Sequence, residues 1–325
     1  MTDSQIGIVV IGRNEGTRLK VCLESVVQFG SVVYVDSGST DDSVAIARQL
    51  GVEVVNLDVS IPFTAARARN EGFNRLYELN ANLEYVQFVD GDCEVITGWF
   101  NTAKAFLDKN TEVAVVCGQR KERFPDASVY NMLCDIEWNT PIGEAKACGG
   151  DALMRINAFN EVSGYNPKVI AGEEPELCVR LRQKGWKIWR IDAQMTLHDA
   201  NISRFSQWWR RNVRSGYAFA LGASMHGALP ERHWLKEVKR TQLWTIIIPL
   251  ILAVATFIKP SFIILVAIYP IQITRLAIKN KANMSRNWLY ASYVMLGKFP
   301  EMQGQLSFYI NRLFNNEDKI IEYKN

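Results

Sequence analysis

The stretch Ile6-Gly7-Ile8-Val9-Val10-Ile11-Gly12-Arg13-Asn14-Glu15 decides the fold. Six residues of almost unbroken apolar character, Ile6 to Ile11, are too few for a helix of usual length. They suit a strand buried on both faces. The polar turn Gly12-Arg13-Asn14-Glu15 then ends it. Leu19, Cys22, Leu23, Val26 and Val27 follow at helical spacing. The same alternation continues: strand Ser31–Val35, a helix led by Ser39-Thr40-Asp41-Asp42 and running to Leu50, strand Val52–Val55, helix Ala65–Leu79, strand Tyr85–Val89, helix Trp99–Leu107 and strand Val113–Cys117. Strands alternating with helices predict an α/β fold with a mostly parallel sheet covered by helices. Ligands of such sheets bind beyond the carboxyl ends of the strands. Gly12-Arg13-Asn14-Glu15, Asp36-Ser37-Gly38-Ser39 and Asp90-Gly91-Asp92 all follow strands, so one crevice should collect them.

Residues 119–200 read as less regular, with a helix from Glu176 to Lys184 and a strand from Lys187 to Ile191. Composition changes after residue 200. Between Asn201 and Arg240 there are eight Lys/Arg against two Glu. Two apolar stretches follow, Leu243–Ile258 and Ser261–Ile278, of 16 and 18 residues. A full span needs about 20 residues, so two spans, a re-entrant hairpin and a buried soluble hairpin all stay open. The basic flanks, with Lys279, Lys281 and Arg286 on the far side, favour a membrane with both flanks cytoplasmic. The expected organisation is 1–200 catalytic, 201–240 a basic amphipathic interface, 241–280 an apolar hairpin and 281–325 interfacial helices and tail.

A net charge of +3 gives no reason to expect nucleic acid as a partner. The six cysteines form no CxxC pair, which speaks against a zinc site or a disulfide framework and for reduced thiols. Those thiols point to a cytosolic compartment, and Met1 to Gln5 carries no signal-peptide pattern, so no signal peptide is expected.

Asp90 and Asp92, one residue apart on a turn after Val86–Val89, suit a hard divalent cation, Mg²⁺ or Mn²⁺. An isolated Asp-Gly-Asp is an ordinary turn; the position after an apolar strand gives it weight. Gly172-Glu173-Glu174-Pro175-Glu176 puts three acids in four residues. Helix-dipole preference explains Glu176. A carboxylate among carboxylates gains proton affinity, which suits a general base. His198 beside Asp199 offers a third metal ligand. Arg67 and Arg69 open a helix against its dipole, which a nearby diphosphate would explain.

Taken in order, these segments together with Gly149-Gly150 resemble the family 2 glycosyltransferases, inverting enzymes of GT-A fold, over about residues 6–215. The resemblance points to a membrane-associated bacterial member and implies the following roles. Asn14, Glu15, Asp36 and Ser37 hold the nucleoside. Arg69, Asp90 and Gly150 complete the donor site. Asp90, Asp92 and His198 hold the metal, and Glu174 is the base. Asp151, Glu173, Glu176, Gln207 and Arg210 are motif or acceptor residues. Ser37 stands where the family often has a second Asp, and Glu174 where it has Asp. Gln207-Trp208-Trp209-Arg210-Arg211 departs from the Gln-x-x-Arg-Trp of processive synthases at Arg211, so no polymerase is expected. The expected donor is a nucleotide-diphosphate sugar, a UDP-sugar first, and the acceptor a lipid-linked or saccharide hydroxyl at the cytoplasmic face of the inner membrane. The competing classes are a nucleotidyltransferase, which would bring a Gly-rich loop with Lys, and a non-catalytic membrane scaffold. An oxidoreductase would need G-x-G-x-x-G, which the chain lacks.

Overall fold

The computed structural model describes residues 5–279, 284–316 and 320–322. Lys281, one of the expected basic flanks, and the other residues of 280–283, 317–319 and 323–325 lie outside the described residues. Two compact units divide the chain, residues 1–203 and 204–325.

The first unit contains β1 (Ile6–Gly12), α1 (Thr17–Val26), β2 (Ser31–Asp36), α2 (Ser43–Gln49), β3 (Glu53–Asn56), α3 (Ala65–Leu79), β4 (Tyr85–Asp90), β5 (Cys93–Val95), α4 (Trp99–Lys109), β6 (Val113–Glu122), α5 (Val129–Trp138), β7 (Gly143–Ala145), β8 (Ala152–Arg155), α6 (Ile156–Glu161), α7 (Glu173–Gln183) and β9 (Lys187–His198). Among the described residues these strands form one sheet in the order β3-β2-β1-β4-β8-β6-β9-β5, with β7 on β9. The half from β3 to β4 is parallel. β1 runs through its middle, and every residue from Ile6 to Ile11 is buried, as its apolar run requires. α3 lies close against β1. A Cβ at Gly72 would come within 2.4 Å of Val9 Cγ1, so only glycine allows that approach.

Register brings the strand ends together. Gly12 pairs with Asp36, and Ile11 with Asp90. β8 then enters antiparallel beside β4, with Ala152 opposite Phe88. Its leading residues, Gly149-Gly150-Asp151, therefore arrive at the carboxyl end of β4 rather than the far end. β9 runs parallel to β6 and antiparallel to β5, which sets His198 opposite Cys93.

Three expectations need correction. The strand expected to end at Ile191 runs on to His198 by pairing with β6 and β5. The strand expected to stop at Cys117 continues to Glu122, because Gln119 to Glu122 pair with β9 even though their side chains are polar. The helix expected from Glu176 starts at Glu173, after Gly172 at φ 81°. Pro175 is tolerated there because first-turn amides have no partner inside the helix.

The second unit is helical: α8 (Phe205–His226), α9 (Leu235–Gln242), a π-helical turn Leu243–Ile247, α10 (Ile248–Ile258), a 3-10 segment Pro260–Ala267, α11 (Ile268–Lys279), α12 (Met284–Leu296) and α13 (Lys298–Leu313). α8 and α13 meet at backbone distance, where a Cβ on Gly304 would lie 2.0 Å from the Val213 carbonyl. Two continuous helical runs, Leu235–Ile258 and Pro260–Lys279, are long and apolar enough to cross a membrane. Within the described residues these runs are not packed into the interior of the structure. Only 6% of each apolar window is buried, and Phe257 is 91% exposed.

Candidate functional site

The first corner of the crevice is two loops clasped together. The Asn14 amide donates to Ser39 Oγ at 2.9 Å, and the Thr40 amide donates to Asn14 Oδ1 at 2.7 Å. Asn14 takes φ 56°, a left-handed conformation that asparagine tolerates better than most residues. Asp36 Oδ2 accepts from the amides of Gly38 (3.0 Å) and Ser39 (2.8 Å), while Oδ1 accepts from Tyr34 Oη (2.9 Å). Asp36 thus shapes its own turn. Ser37 is buried, with its amide on the Gly12 carbonyl. Glu15 pairs with Arg18 at 2.7 Å.

The second corner is acidic. The side chains of Asp90, Asp92, Cys93 and His198 offer donor atoms that all lie within 4.8 Å of one another. His198 Nε2 is 3.3 Å from Asp92 Oδ1. Arg69, 2% exposed, reaches in from α3. Its Nη2 meets Asp90 Oδ1 at 2.8 Å and Glu174 Oε1 at 3.1 Å, and its Nη1 meets Glu173 Oε1 at 2.8 Å. One guanidinium therefore joins the Asp-Gly-Asp turn to the acids of α7. Burial alone would raise the Asp90 pKa; Arg69 and Arg120 outweigh it and hold Asp90 below the ordinary carboxylate range. Glu174 goes the other way. Burial first, then the neighbouring Glu173, pushes its pKa up to about 7 against the pull of Arg69. Its side chain stays 15% exposed, enough to be reached.

Asp151 sits beneath this centre, fully buried. It accepts from the Asp90 amide (3.1 Å), Thr196 Oγ1 (2.9 Å) and Cys93 Sγ (3.3 Å), and it pairs with Arg120 at 2.9 Å. It braces the turn from below. Gly150 lies over the Arg69–Asp90 pair. A Cβ there would fall 2.6 Å from both Arg69 Nη2 and Asp90 Oδ2.

Not every expected residue joins the centre. Glu176 turns to Arg180, at 2.8 to 3.0 Å, four residues on along α7. Arg67, expected near a diphosphate, instead donates to the carbonyls of Asp58 and Ile61 at 3.0 Å. Gln207 and Arg210 belong to the second unit, where Gln207 Oε1 accepts the Arg204 amide and caps α8, and Arg210 is exposed. The sequence reading missed Arg120, Cys93 and Thr196. Arg120 lies on the part of β6 that was not recognised as strand; its signal was the polar run Gln119–Glu122 beside a strand.

The donor set fits a hard divalent cation. Asp90, Asp92, Asp151, Glu173 and Glu174 are five carboxylates gathered around two guanidiniums, Arg69 and Arg120, which leaves negative charge in excess. Two carboxylates and an imidazole match Mn²⁺ or Mg²⁺. Cys93 matches neither, since burial and then Asp151 and Asp92 raise its thiol pKa well above the usual value.

Residues 7–154 match the model of the family described as Glycosyl transferase family 2. The chain is similar to the succinoglycan biosynthesis protein ExoA of Rhizobium meliloti (strain 1021), with 28% identity over 210 residues, 59% of this chain and 62% of that protein. The match spans about three fifths of that relative's length. Among solved structures, the mannosyltransferase PcManGT of Pyrobaculum calidifontis, determined with GDP-Man and Mn²⁺, superimposes with a TM-score of 0.63 and 17% identity, over 93% of this chain and 87% of that one. That likeness shows the GT-A fold expected from the sequence.

Proposed function

We propose that the protein transfers a sugar from a nucleotide-diphosphate donor to a hydroxyl acceptor by a single inverting displacement, with Glu174 as base. One observation carries the proposal. Arg69 holds Asp90 at 2.8 Å and Glu174 at 3.1 Å, so the cation-binding turn and a carboxyl group with pKa near 7 sit a guanidinium apart. The match of residues 7–154 to the family 2 model and the GDP-Man and Mn²⁺ bound by PcManGT support a nucleotide-sugar donor and a metal.

In this reading Asp90, Asp92 and His198 hold Mn²⁺ or Mg²⁺. The cation, when bound, offsets negative charge that grows on the diphosphate as it leaves. Glu174 takes the proton of the acceptor hydroxyl. The acceptor oxygen bonds to the anomeric carbon from one face, while the carbon–oxygen bond to the diphosphate breaks on the other and its electron pair leaves with the phosphate. Arg69 keeps Glu174 oriented and partly charged. The Asn14–Glu15 loop and the Asp36-Ser37 turn receive the nucleoside, UDP first among candidates, and Gly150 leaves room for the donor above Asp90. Asp151 braces Asp90, and Glu173 anchors Arg69.

The acceptor in this reading is lipid-linked or a saccharide, at the cytoplasmic face of the inner membrane. Support comes from the exposed apolar runs, from Lys236, Lys239, Arg240, Lys279 and Arg286 flanking them, and from Trp244 and Tyr269. These two aromatics share a level, with Tyr269 Oη on the Trp244 carbonyl at 2.8 Å, as an interfacial belt would have them. The segments 1–200, 201–240, 241–280 and 281–325 then serve catalysis, surface contact, insertion and peripheral anchoring. Polysaccharide biosynthesis is the matching setting, in keeping with the name of ExoA, a succinoglycan biosynthesis protein.

The test is incubation of the membrane-reconstituted protein with Mn²⁺ and a panel of nucleotide-sugars, read by proton NMR of the anomeric signal. A product of inverted configuration is expected from one donor. Retained configuration, or release of inorganic pyrophosphate from a nucleoside triphosphate instead, would reject the proposal. Gly150→Ala should lower kcat by about 10²-fold, the scale of an ångström's misplacement at a reacting centre. Its melting temperature should fall only slightly. A rate within twofold of the wild type would show that the close approach has no catalytic consequence.

A further inference from the structure

The continuation of β6 past Cys117 has a purpose beyond adding to the sheet. Cys117 pairs with Arg190, but Arg120 pairs with Thr196 and Glu122 with His198, so β9 gains three residues on β6 through two register shifts. Without those shifts Glu122 would stand beside Met195. An odd shift also exchanges the faces of the strand. Irregularities of this kind re-aim side chains next to sites. Here they bring a fully buried carboxylate behind His198.

Glu122 has a side chain that is 0% exposed. Its Oε1 accepts from the Phe124 amide (3.1 Å) and Asn131 Nδ2 (3.2 Å), and its Oε2 accepts from the Ala200 amide (3.0 Å). Oε2 also lies 4.0 Å from His198 Nδ1. That nitrogen is buried and has no hydrogen-bond partner among the described residues. The other ring nitrogen, Nε2, faces Asp92 at 3.3 Å. Trp138 stands edge-on to the imidazole with centroids 4.6 Å apart and closes its side. The ring is thus aimed at the acidic centre by one nitrogen and at a rigidly held carboxylate by the other. A histidine that ligates a metal donates its second N–H to such a group, which fixes ring orientation and strengthens the ligand.

We propose that Glu122 is a positioning residue for the cation site: it takes the Nδ1–H of His198 and holds Nε2 toward the ion. The inference rests on the proposal that Asp90, Asp92 and His198 bind the cation. Glu122 itself touches neither ion nor substrate. The 4.0 Å separation is longer than a hydrogen bond, so this role requires the two groups to draw closer when an ion is bound.

The experiment measures Mn²⁺ affinity by the electron paramagnetic resonance of free Mn²⁺, with Mn²⁺ alone as probe. Four proteins are compared: wild type, Glu122→Gln, His198→Ala and the double variant. Glu122→Gln should weaken binding by about 10- to 100-fold, and in the His198→Ala background it should add nothing further. Equal weakening in both backgrounds would mark Glu122 as merely structural and overturn the inference, as would an unchanged affinity. Wild-type protein that does not bind Mn²⁺ would overturn the cation site first, and this inference with it. Should Glu122→Gln fail to fold, nitrogen-15 spectra of histidine-labelled wild type loaded with diamagnetic Mg²⁺ decide the matter. His198 protonated at Nδ1 supports the inference; His198 protonated at Nε2 overturns it.

Discussion

Glu174→Gln should cut the transfer rate by about 10³-fold, within the range that a positioned base supplies. The amide keeps nearly the same shape and can still accept from Arg69, so Mn²⁺ and nucleotide binding should change by less than threefold. What it loses is the ability to take a proton. The carboxyl pKa near 7 has burial as its first cause and Glu173 as its second. A base with that value is half deprotonated at neutral pH. Below it, the active carboxylate falls tenfold per pH unit, so the rate should drop on the acid side and level off above. A bound cation nearby favours the charged form and moves this limb to lower pH. The Gln variant should lose the limb together with the rate. Steady-state rates from pH 5 to 9 for both proteins check this. A variant that retains full activity, or one that keeps the same acid limb as the wild type, would remove Glu174 as the base.

Asp92→Asn is expected to have the second large effect. Asp92 is 5% exposed, lies 3.3 Å from His198 Nε2 and has a carboxylate oxygen within 4.8 Å of one of Asp90. Replacing one carboxylate oxygen by NH₂ turns a donor toward the place a cation would occupy. Charge stabilisation by a metal at a leaving group is worth several kcal/mol. A loss of about 10²-fold or more in kcat/KM follows, at roughly 1.4 kcal/mol per factor of ten. Stability should move in the opposite sense. Asp90, Asp92 and Asp151 are crowded, and removing one charge from the metal-free centre relieves repulsion, so the melting temperature should hold or rise. A variant that is both inactive and unfolded would mean that Asp92 serves the fold.

How much of this was legible depended on the kind of signal. The buried strands β1, β2 and β4 announced themselves as apolar runs, and α3 matched its expected range Ala65–Leu79. The turns after those strands were legible because parallel register must bring strand ends together. The second half of β6 was not. Gln119, Arg120, Lys121 and Glu122 are polar, and pairing with β9 is a long-range fact that no local pattern carries. Arg69 was legible as an anomaly, a cation opening a helix against its dipole. Its occupants were not: it is held by Asp90, Glu173 and Glu174, which arrive from elements 21 and 104 or more residues away. Asp151 stood out by following Gly149-Gly150, but its buried bracing of Asp90 depends on β8 entering antiparallel, which the sequence pattern does not specify. The start of α7 was misplaced because Pro175 reads as a boundary, whereas the first turn of a helix accepts it.

The central claim is that Asp90-Gly91-Asp92, with His198, holds a cation through which a nucleotide-sugar binds. Calorimetric titration of UDP-sugars and GDP-sugars into the wild type and Asp92→Asn, with Mn²⁺ and with chelator, tests it most directly. The account predicts that one sugar nucleotide binds the wild type at least tenfold more tightly with Mn²⁺ than with chelator, and that Asp92→Asn abolishes the difference. Equal binding with and without Mn²⁺ in the wild type would contradict it.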